Sequence, residues 1–390
     1  MRISRLAVLA AAVLMTSPAL AQAPSQTPAQ PAPSADPGVL FWTPERREAD
    51  FRRMETVVPH ARVPASTTPR LLPQGAALDL SVDAFMQAER TAGLLVLQDG
   101  QVRFERYGLG MTPSDHWDSF SVTKSLTSTL VGAAIRDGSI SGLDAKLTDY
   151  LPEMAGSGYD GVTVRQLLTM TSGVDWNEDY ADPASDVARL FLTPADPGLD
   201  ATVSYMRGLG RAAEPGTRWH YNTGETNLVG VLVARATGRP LAQYLSEKIW
   251  GPAGMADDAF WMLDEQGREA GGCCLSATLR DWGRVGLMAL ENGRTPSGPI
   301  VGDDWFDQAT RTQADIGAPG RGYGFQWWTA DDGAFDGRGI FGQTLHVDRD
   351  RRLVVVILSA WPTAVGSERS AARAALLARI DAAVDAAPQP

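Results

Sequence analysis

The chain has 390 residues, enough for one large domain with an insertion or for two domains. Hydrophobic residues make up 44% and charged residues 21%, which excludes wholesale disorder, and the net charge of −11 excludes a basic surface for nucleic acid or an anionic membrane. The two cysteines are adjacent and the four histidines lie far apart, which excludes a disulfide scaffold and a structural zinc cage, so we expect neither a metal nor an organic cofactor.

The N-terminus has the pattern of a secretory signal peptide over residues 1–21. Two arginines precede an apolar run from Leu6 to Met15, and small residues then allow cleavage after Ala21. The alternative, a membrane anchor, requires a longer apolar run. Residues 22–40 are rich in Pro, Ala, Gln and Ser and are predicted to be a disordered linker. We therefore expect a secreted, periplasmic protein with no membrane span after processing.

The first folded elements are predicted from Thr43 onwards. Thr43 is a suitable helix N-cap, followed by a proline at the first helical position, and predicts a helix to about Thr56. Ser81 is predicted to cap a second helix that ends by Gly93. Asp99-Gly100 then separates two strand-like segments, which predicts a β-hairpin.

The rest of the chain is predicted to contain a helix-rich middle and a strand-rich end. Aromatic and β-branched residues predict strands over residues 322–329, 342–348 and 353–359, and an alanine-rich helix runs from Ser367 to about Ala386. We therefore expect a mixed α/β (α+β) fold, in which one sheet is built from both ends of the chain and a ligand cleft faces an inserted helical domain. The predicted boundaries are 41–142 and 276–390 for the α/β domain and 143–275 for the helical insert.

The motif that carries chemistry is Ser121-Val122-Thr123-Lys124. Apolar residues recur after it at helical spacing, so Ser121 is predicted at a helix N-terminus and Lys124 one turn later on the same face. A serine hydroxyl is a poor nucleophile unless a base takes its proton, and a lysine can be that base when burial moves its amine toward neutrality. The helix N-terminus would also favour an oxyanion near Ser121.

The alternative is that Ser-x-x-Lys occurs by chance on a solvated helix face. Lysine usage argues against this, because the chain has three lysines and 32 arginines, and arginine cannot deprotonate. The other two lysines, Lys146 and Lys248, have leucine three positions earlier, so the motif is unique in the chain.

A second candidate is Tyr221, which follows a loop bounded by Pro215-Gly216 and precedes a predicted helix near Thr226. A tyrosine near a lysine cation can have a lowered pKa and relay protons, which makes Tyr221 a candidate proton relay. The alternative is a packing tyrosine with a satisfied hydroxyl.

Three other features of the sequence bear on its function. Cys273 and Cys274 are expected to be a small buried pair beside glycines; the alternative is a disulfide between the two, which is disfavoured because adjacent residues fit disulfide geometry poorly. Residues 208–213 loosely match a dinucleotide-binding fingerprint, but no predicted strand precedes them. No Gly-x-Ser-x-Gly pentapeptide occurs, which argues against an α/β-hydrolase.

Taken in order, the motifs resemble a known superfamily. Ser-x-x-Lys at 121–124, Tyr-Asn-Thr at 221–223 and a glycine-containing strand near the end resemble the serine β-lactamases and penicillin-binding proteins, in the class C-like layout. Within these, the chain resembles the 6-aminohexanoate-dimer (nylon oligomer) hydrolase-like carboxylesterases. This resemblance implies a β-lactamase-like antiparallel sheet with flanking helices. The stretches that carry the narrower resemblance are 176–180, 221–227, 271–278, 323–328 and 339–343.

The resemblance also implies roles for individual residues. Ser121 would be the nucleophile, Lys124 the base and Tyr221 the proton relay. The family places a second oxyanion N–H just after a Lys-Thr-Gly triplet, which here corresponds to Gly-Arg-Gly at 337–339. The backbone N–H of Ile340 would then act beside that of Ser121.

Further residues are implied at the substrate. A different alignment within residues 339–343 would make Gln343 the second oxyanion donor instead. Tyr180 matches a tyrosine on a mobile loop that assists amide turnover, and Trp327 would line an apolar acyl pocket. The candidate substrate-binding residues are Tyr180, Asn222, Trp327 and Gln343.

The expected function is that of a serine hydrolase acting through an acyl-enzyme on a small-molecule carboxylic ester and on linear amides of the 6-aminohexanoate-oligomer type. Two alternatives stay open: a D-Ala peptidase or β-lactamase of the same fold, and a non-catalytic ligand-binding or sensor domain. Gly-Arg-Gly replaces the family's Lys-Thr-Gly, so the lysine that helps to hold a β-lactam carboxylate is missing, and Met170 stands where many relatives have histidine; both departures disfavour β-lactam hydrolysis. Arg338 is expected to face solvent at the strand edge, and the alternative is that it binds an anion. The intact catalytic set argues against the non-catalytic domain.

Overall fold

The computed structural model describes residues 38–387, in which helices surround a long antiparallel sheet. The predicted signal peptide, residues 1–21, and the predicted linker as far as residue 37 lie outside the described residues. The helices are α1 (Pro44–Asp50), α2 (Asp83–Ala88), α3 (Thr123–Arg136), α4 (Val164–Leu168), α5 (Asp186–Arg189), α6 (Ala201–Met206), α7 (Thr223–Thr237), α8 (Leu241–Leu245), α9 (Leu279–Leu290), α10 (Trp305–Ala309) and α11 (Ser367–Ala386). The strands are β1 (His60–Val63), β2 (Thr91–Gln98), β3 (Gln101–Tyr107), β4 (Trp117–Asp118), β5 (Ala259–Met262), β6 (Leu275–Ala277), β7 (Arg294–Thr295), β8 (Gly298–Pro299), β9 (Ala314–Asp315), β10 (Arg321–Tyr323), β11 (Trp328–Ala330), β12 (Phe335–Gly339), β13 (Gln343–Asp348) and β14 (Leu353–Ser359).

The large sheet has the strand order β3-β2-β14-β13-β12-β11-β10-β9, with antiparallel neighbours throughout. The predicted hairpin is confirmed, since Gln98 pairs with Gln101 across Asp99 (φ 51°) and Gly100 (φ 75°). Two successive positive φ values suit the twist of antiparallel strands, which explains the Asp-Gly sequence. Because β2 pairs with β14, the sheet joins both ends of the chain, and the predicted fold class is confirmed.

The central strands bury side chains on both faces, as their continuous apolar sequences indicate. In β14, Leu353 and Val355 pack in a cluster that contains Leu376 of α11, whereas Val354 and Val356 belong to the main core. Helix α9 lies against β2, β13 and β14. The sheet therefore separates α2 and α11 on one face from α9 and the helical middle of the chain on the other.

The starts of the first two helices show where local sequence rules hold and where they fail. Thr43 caps α1 as predicted, because its Oγ1 accepts a hydrogen bond from the N–H of Arg46 over 3.3 Å. Ser81 does not cap α2, which begins at Asp83 without a side-chain cap. Gly93, the predicted end of that helix, instead lies within β2, where the burial of the whole strand favours extended structure.

Two strand predictions in the C-terminal third also need correction. The strand predicted over residues 322–329 is two antiparallel strands, β10 and β11, because the chain reverses between them with Gln326 at φ 62°. Strand β12 does not follow from hydrophobic periodicity, since its sequence Phe-Asp-Gly-Arg-Gly has few strand-favouring residues. The predicted strands at β13 and β14 and the predicted helix α11 are confirmed.

The helical middle of the chain, residues 143–275, contains α4 to α8 and also β5. Strand β5 pairs with β1 and β6 in a second sheet of order β1-β5-β6-β4. Helix α7 packs against α3, and Leu130 and Leu228 from these two helices belong to the same buried cluster. The helical segment therefore shares its core with the rest of the fold. Among the described residues, no helix has both the length and the apolar character to cross a bilayer.

Candidate active site

Ser121 lies at the junction between β4 and α3. The chain leaves β4 at Asp118, passes through a 3-10 turn from Phe120 to Val122 and enters α3 at Thr123. Phe120 has a positive φ of 46°, and its N–H donates to Asp118 Oδ1 over 3.0 Å. This turn holds Ser121 at the helix N-terminus, with the residue on the wall of a cavity.

Lys124 lies one turn further along α3 and is only 1% exposed. Its Nζ contacts three oxygens: Ser121 Oγ at 2.9 Å, Thr223 Oγ1 at 3.0 Å and the carbonyl oxygen of Gly272 at 2.6 Å. Burial lowers the pKa of Lys124 to about 8, against the opposing effect of the negative charge of Glu178. A buried lysine with this pKa is able to take the proton of the neighbouring serine hydroxyl near neutral pH.

The third predicted catalytic residue, Tyr221, lies on the loop before α7, and Lys124 Nζ is 5.3 Å from its ring centroid. Its ring stacks on Trp328 with 5.6 Å between centroids. The expectation of a lowered pKa is wrong: burial, followed by the charge of Glu178, raises the pKa of Tyr221, and a hydrogen bond with Ser121 opposes this only partly. Tyr221 therefore keeps its proton at neutral pH and can serve as a hydrogen-bond donor.

Ile340 borders the cavity at the end of a strand of the large sheet. Strand β12 ends at Gly339, and a 3-10 turn that starts at Ile340 leads to β13. A Cβ on Gly339 would collide with the carbonyl oxygen of Ser119, so glycine allows the strand end to approach the turn that holds Ser121. The geometry therefore favours Ile340 over Gln343 as the second oxyanion donor.

An apolar cavity of about 70 Å³ opens beside Ser121. Val39 and Leu40 form part of its wall, within a 3-10 turn from Val39 to Phe41. The predicted linker, residues 22–40, is therefore wrong at its C-terminal end, because these two side chains pack against the main core. The other lining residues are Phe120, Tyr180, Val187, Phe191, Thr223, Met262, Cys273, Cys274 and Ile340.

Of the four candidate substrate-binding residues, Tyr180 lies at the cavity, but the other three do not line it. Asn222 is buried as the N-cap of α7, where its Oδ1 accepts a hydrogen bond from the N–H of Glu225. Trp327 is buried against Phe335 in the core. The neighbouring residue Trp328 contacts Tyr221 instead, because side chains of successive residues point in different directions along an extended chain.

Gln343 also has a structural position that the sequence did not indicate. Its side chain is fully buried at the start of β13, where Oε1 accepts from the indole N–H of Trp117 and from the N–H of Ser359. Its Nε2 donates to the carbonyl oxygen of Ser359 over 2.7 Å. These hydrogen bonds connect the start of β13 with β4 and with the end of β14, and they leave the side-chain amide unavailable to substrate. The prediction that Gln343 binds substrate is therefore wrong.

Two further polar residues belong to the site, and sequence reasoning missed both. Thr223 is the first residue of α7, and its hydroxyl accepts a hydrogen bond from Lys124. Glu178 accepts hydrogen bonds from the N–H of Thr223 at 2.9 Å and from the hydroxyl of Tyr180 at 2.7 Å. The available signal was an acidic residue two positions before Tyr180, within a stretch that already resembled the family.

The two cysteines differ from their expected state. Cys273 and Cys274 form a disulfide between adjacent residues, with Cys274 at a positive φ of 72°. Both border the cavity, and the preceding residue, Gly272, supplies the carbonyl oxygen that accepts from Lys124. A Cβ on Gly272 would come within 2.8 Å of the carbonyl oxygen of Thr223, so the close approach of this segment to α7 requires glycine. Within residues 38–387, no group of three His, Cys, Asp or Glu residues is placed to hold a metal ion.

Comparisons with known proteins agree with this geometry. A family model described as Beta-lactamase matches residues 78–380. The chain is 33% identical over 377 residues to a 6-aminohexanoate-dimer hydrolase of Paenarthrobacter ureafaciens, with 89% of this chain and 94% of the relative covered. It is 26% identical over 355 residues to esterase EstB of Burkholderia gladioli, with 73% of this chain and 90% of the relative covered.

Solved structures show the same fold. A Bacillus anthracis protein assigned as a 6-aminohexanoate-dimer hydrolase is similar with a TM-score of 0.78 at 24% identity, over 88% of this chain and 95% of that chain. A family VIII carboxylesterase is similar with a TM-score of 0.58 at 18% identity, over 78% of this chain and 99% of that chain. At these identities, the structural likeness shows the architecture, and function has to be argued from the site.

Proposed function

The chain belongs to the β-lactamase family and is a serine hydrolase, and from that premise we propose that it hydrolyses small-molecule carboxylic esters and linear amides through an acyl-enzyme on Ser121. The observation that carries this proposal is the 2.9 Å contact between the Nζ of buried Lys124 and Ser121 Oγ. It brings a nucleophile and a base of suitable pKa into direct contact beside an apolar cavity.

Acylation begins when Lys124 takes the hydroxyl proton of Ser121 as Oγ bonds to the substrate carbonyl carbon. The backbone N–H groups of Ser121 and Ile340 stabilise the negative charge that develops on the carbonyl oxygen. The bond to the leaving oxygen or nitrogen then breaks. Tyr221 donates its proton to the leaving group and recovers one from Lys124, a role that suits a tyrosine whose pKa is raised by burial.

Deacylation repeats the sequence with water in place of the alcohol or amine. A water molecule attacks the acyl carbon and loses a proton to the Lys124–Tyr221 pair, and the bond to Ser121 Oγ breaks. The serine recovers its hydroxyl proton and the carboxylic acid leaves. Every proton that moves in this scheme is supplied and recovered by the three side chains and water.

The substrate class follows from the cavity and from the relatives. The cavity beside Ser121 is apolar and small, which favours a short acyl group. The similar proteins include an esterase and a hydrolase of 6-aminohexanoate dimer, which is a linear amide. An ester has the better leaving group, so we expect short-chain esters to react faster than linear amides.

The position of Arg338 argues against β-lactams as preferred substrates. Its guanidinium is paired with the carboxylate of buried Asp336 and lies 5.4 Å from the ring centroid of Trp328. An arginine committed to a buried carboxylate is a poor anchor for the carboxylate of a β-lactam.

The test is hydrolysis of p-nitrophenyl butyrate by the protein and by Ser121→Ala. Loss of the nucleophile is expected to lower kcat/KM by at least about a hundredfold, because it forfeits several kcal/mol of barrier lowering. Ser114→Ala, at an exposed serine of the preceding loop, is the matched control and should retain full activity. Equal rates in Ser121→Ala and the parent protein would refute the proposed nucleophile.

We also propose that the protein is exported and that residues 1–21 are removed. The support is sequence alone: an apolar run from Leu6 to Met15 followed by small residues that end at Ala21. N-terminal sequencing of protein recovered from the periplasmic fraction is expected to begin at Gln22. An intact Met1 N-terminus on protein recovered only from the cytoplasm would contradict the proposal.

A further inference from the structure

Glu178 lies on the loop beside the cavity and accepts four hydrogen bonds. Its Oε2 accepts from the backbone N–H of Thr223 at 2.9 Å and from the indole N–H of Trp176. Its Oε1 accepts from the hydroxyl of Tyr180 at 2.7 Å and from the hydroxyl of Thr223. Two N–H groups donate to Oε2, and the two hydroxyls that contact Oε1 are also able to donate, an arrangement that suits a carboxylate, which accepts hydrogen bonds and has none to donate.

These hydrogen bonds determine which group donates and which accepts along a series that runs from Glu178 through Thr223 and Lys124 to Ser121. The Thr223 hydroxyl has one hydrogen, and it is donated to Glu178, so Thr223 Oγ1 has to accept from Lys124 Nζ over 3.0 Å. The carbonyl oxygen of Gly272 can only accept, so it takes a second Lys124 hydrogen over 2.6 Å. A neutral amine has two hydrogens and one lone pair. With both hydrogens committed, the lone pair faces Ser121 Oγ.

We infer that Glu178 is a positioning residue: by taking the Thr223 hydrogen it orients the amine of Lys124, so that the lone pair is left for the Ser121 proton. This inference rests on the proposed function, in which Lys124 is the base. Without the carboxylate, the Thr223 hydroxyl could turn its hydrogen toward Lys124 and compete with Ser121 for the same lone pair.

The charge of Glu178 acts on the same lysine. The other ionisable side chains around it are held protonated at neutral pH, because burial raises the pKa values of Tyr180, Tyr221 and Tyr323 and raises that of Glu225 to about 8. Glu178 is therefore the negative charge that favours protonated Lys124. Removing it is expected to lower the pKa of the lysine.

Glu178→Gln removes this charge with little change in shape. A glutamine can place its oxygen at the Oε2 position, where the indole of Trp176 and the N–H of Thr223 both donate. Its amide nitrogen then lies at the Oε1 position, opposite two hydroxyls that can each accept as well as donate. The hydrogen bonds that residue 178 makes to Trp176 and Tyr180 can thus persist in the variant, while the hydroxyl hydrogen of Thr223 no longer has a carboxylate to which it is donated.

The experiment measures the rate at which a fluorophosphonate labels Ser121 between pH 6 and 10, together with kcat/KM for p-nitrophenyl butyrate. In Glu178→Gln, the midpoint of the rise with pH should move down by about one pH unit, as expected for loss of a nearby opposite charge. The plateau at high pH should fall by roughly tenfold to a hundredfold, the range for a lost hydrogen bond to a charged group. Asp179→Asn removes a charge from the adjacent, exposed residue and should change neither quantity.

Three further variants distinguish the hydrogen-bond chain through Thr223 from the other contacts of the loop. Tyr180→Phe removes one loop contact of Glu178 but leaves Thr223 bonded to it, so the midpoint should stay at its original pH. Thr223→Val should lower the plateau, and Thr223→Ser, which retains the hydroxyl, should restore most of it. This pair also tests the chain directly if Glu178→Gln fails to fold, which thermal unfolding would reveal.

The outcomes distinguish this inference from the proposed function. If the parent protein is labelled at Ser121 but Glu178→Gln keeps its midpoint and plateau, or if Tyr180→Phe reproduces both changes, the positioning role of Glu178 is overturned and the hydrolase mechanism stands. If the parent protein is neither labelled nor active on esters, the proposed function itself fails, and the inference fails with it.

Discussion

The pH dependence of catalysis is the most direct consequence of the burial of Lys124. Burial lowers its pKa to about 8, from the ordinary value of 10.5. At pH 7 the neutral fraction of the amine is then about one tenth, which is roughly 300-fold more than an exposed lysine would have. We predict that kcat/KM for p-nitrophenyl butyrate rises about tenfold per pH unit below pH 8 and levels off above it.

Lys124→Arg isolates the proton-accepting role from the positive charge. Arginine remains protonated throughout this pH range, so the variant should lose about 10²- to 10⁴-fold in kcat/KM, the range for general-base catalysis, and should show no rise near pH 8. Lys146→Arg, at an exposed lysine, is the matched control and should behave as the parent protein does.

The assay follows p-nitrophenolate release from pH 6 to 10, corrected for spontaneous hydrolysis and for the ionisation of the product. Thermal unfolding of Lys124→Arg shows whether the larger side chain disturbs the fold. A parent profile that is flat across pH 8, or a midpoint near pH 10, would refute the argument that burial prepares Lys124 as the base.

Three further predictions concern neighbouring features. Burial raises the pKa of Glu225 to about 8, so the stability that its protonated form contributes is lost as pH rises toward and through that value. Differential scanning calorimetry of Glu225→Gln should therefore show a smaller fall in Tm between pH 5 and 9 than the parent protein shows. Gly339→Ala should displace the N–H of Ile340 and cost at least about tenfold in kcat, whereas Gly210→Ala, where a Cβ meets open space, should leave the initial rate of ester hydrolysis unchanged. Tyr180→Phe should slow hydrolysis of 6-aminohexanoate dimer more than that of p-nitrophenyl butyrate, measured by amine release; equal effects on both substrates would remove the amide-specific role of this loop.

The sequence predicts those parts of the site that depend on local geometry. Ser121 and Lys124 are three residues apart, and helical spacing alone places them on one face. The Asp99-Gly100 hairpin is equally local, because two positive φ values are encoded in the turn itself. In each case the relevant atoms are fixed by fewer than ten residues of continuous chain.

Contacts between distant segments were not predictable in this way. Glu178 and Thr223 are 45 residues apart, and nothing in either local sequence shows that a carboxylate meets a threonine hydroxyl. Which of the two adjacent indoles, Trp327 or Trp328, faces the active site depends on where β11 begins. A shift of one residue in that strand reverses which of them is buried in the core. The motif around Gln343 indicates a binding residue, but its side-chain amide donates a hydrogen bond to Ser359 of the neighbouring strand. This contact can be seen only once the pairing of β13 with β14 is known.

The wall that Val39 and Leu40 contribute to the cavity lies outside residues 78–380, the span that the family model matches. The catalytic frame and part of the acyl-binding surface are therefore encoded in separate stretches of the chain. We expect substitutions of Val39 and Leu40 to change acyl-chain preference without touching the nucleophile or the base. A recombinant fragment trimmed to the matched span would keep Ser121 and Lys124, but it would lose this wall of the cavity together with α1, β1 and the core residues that they carry.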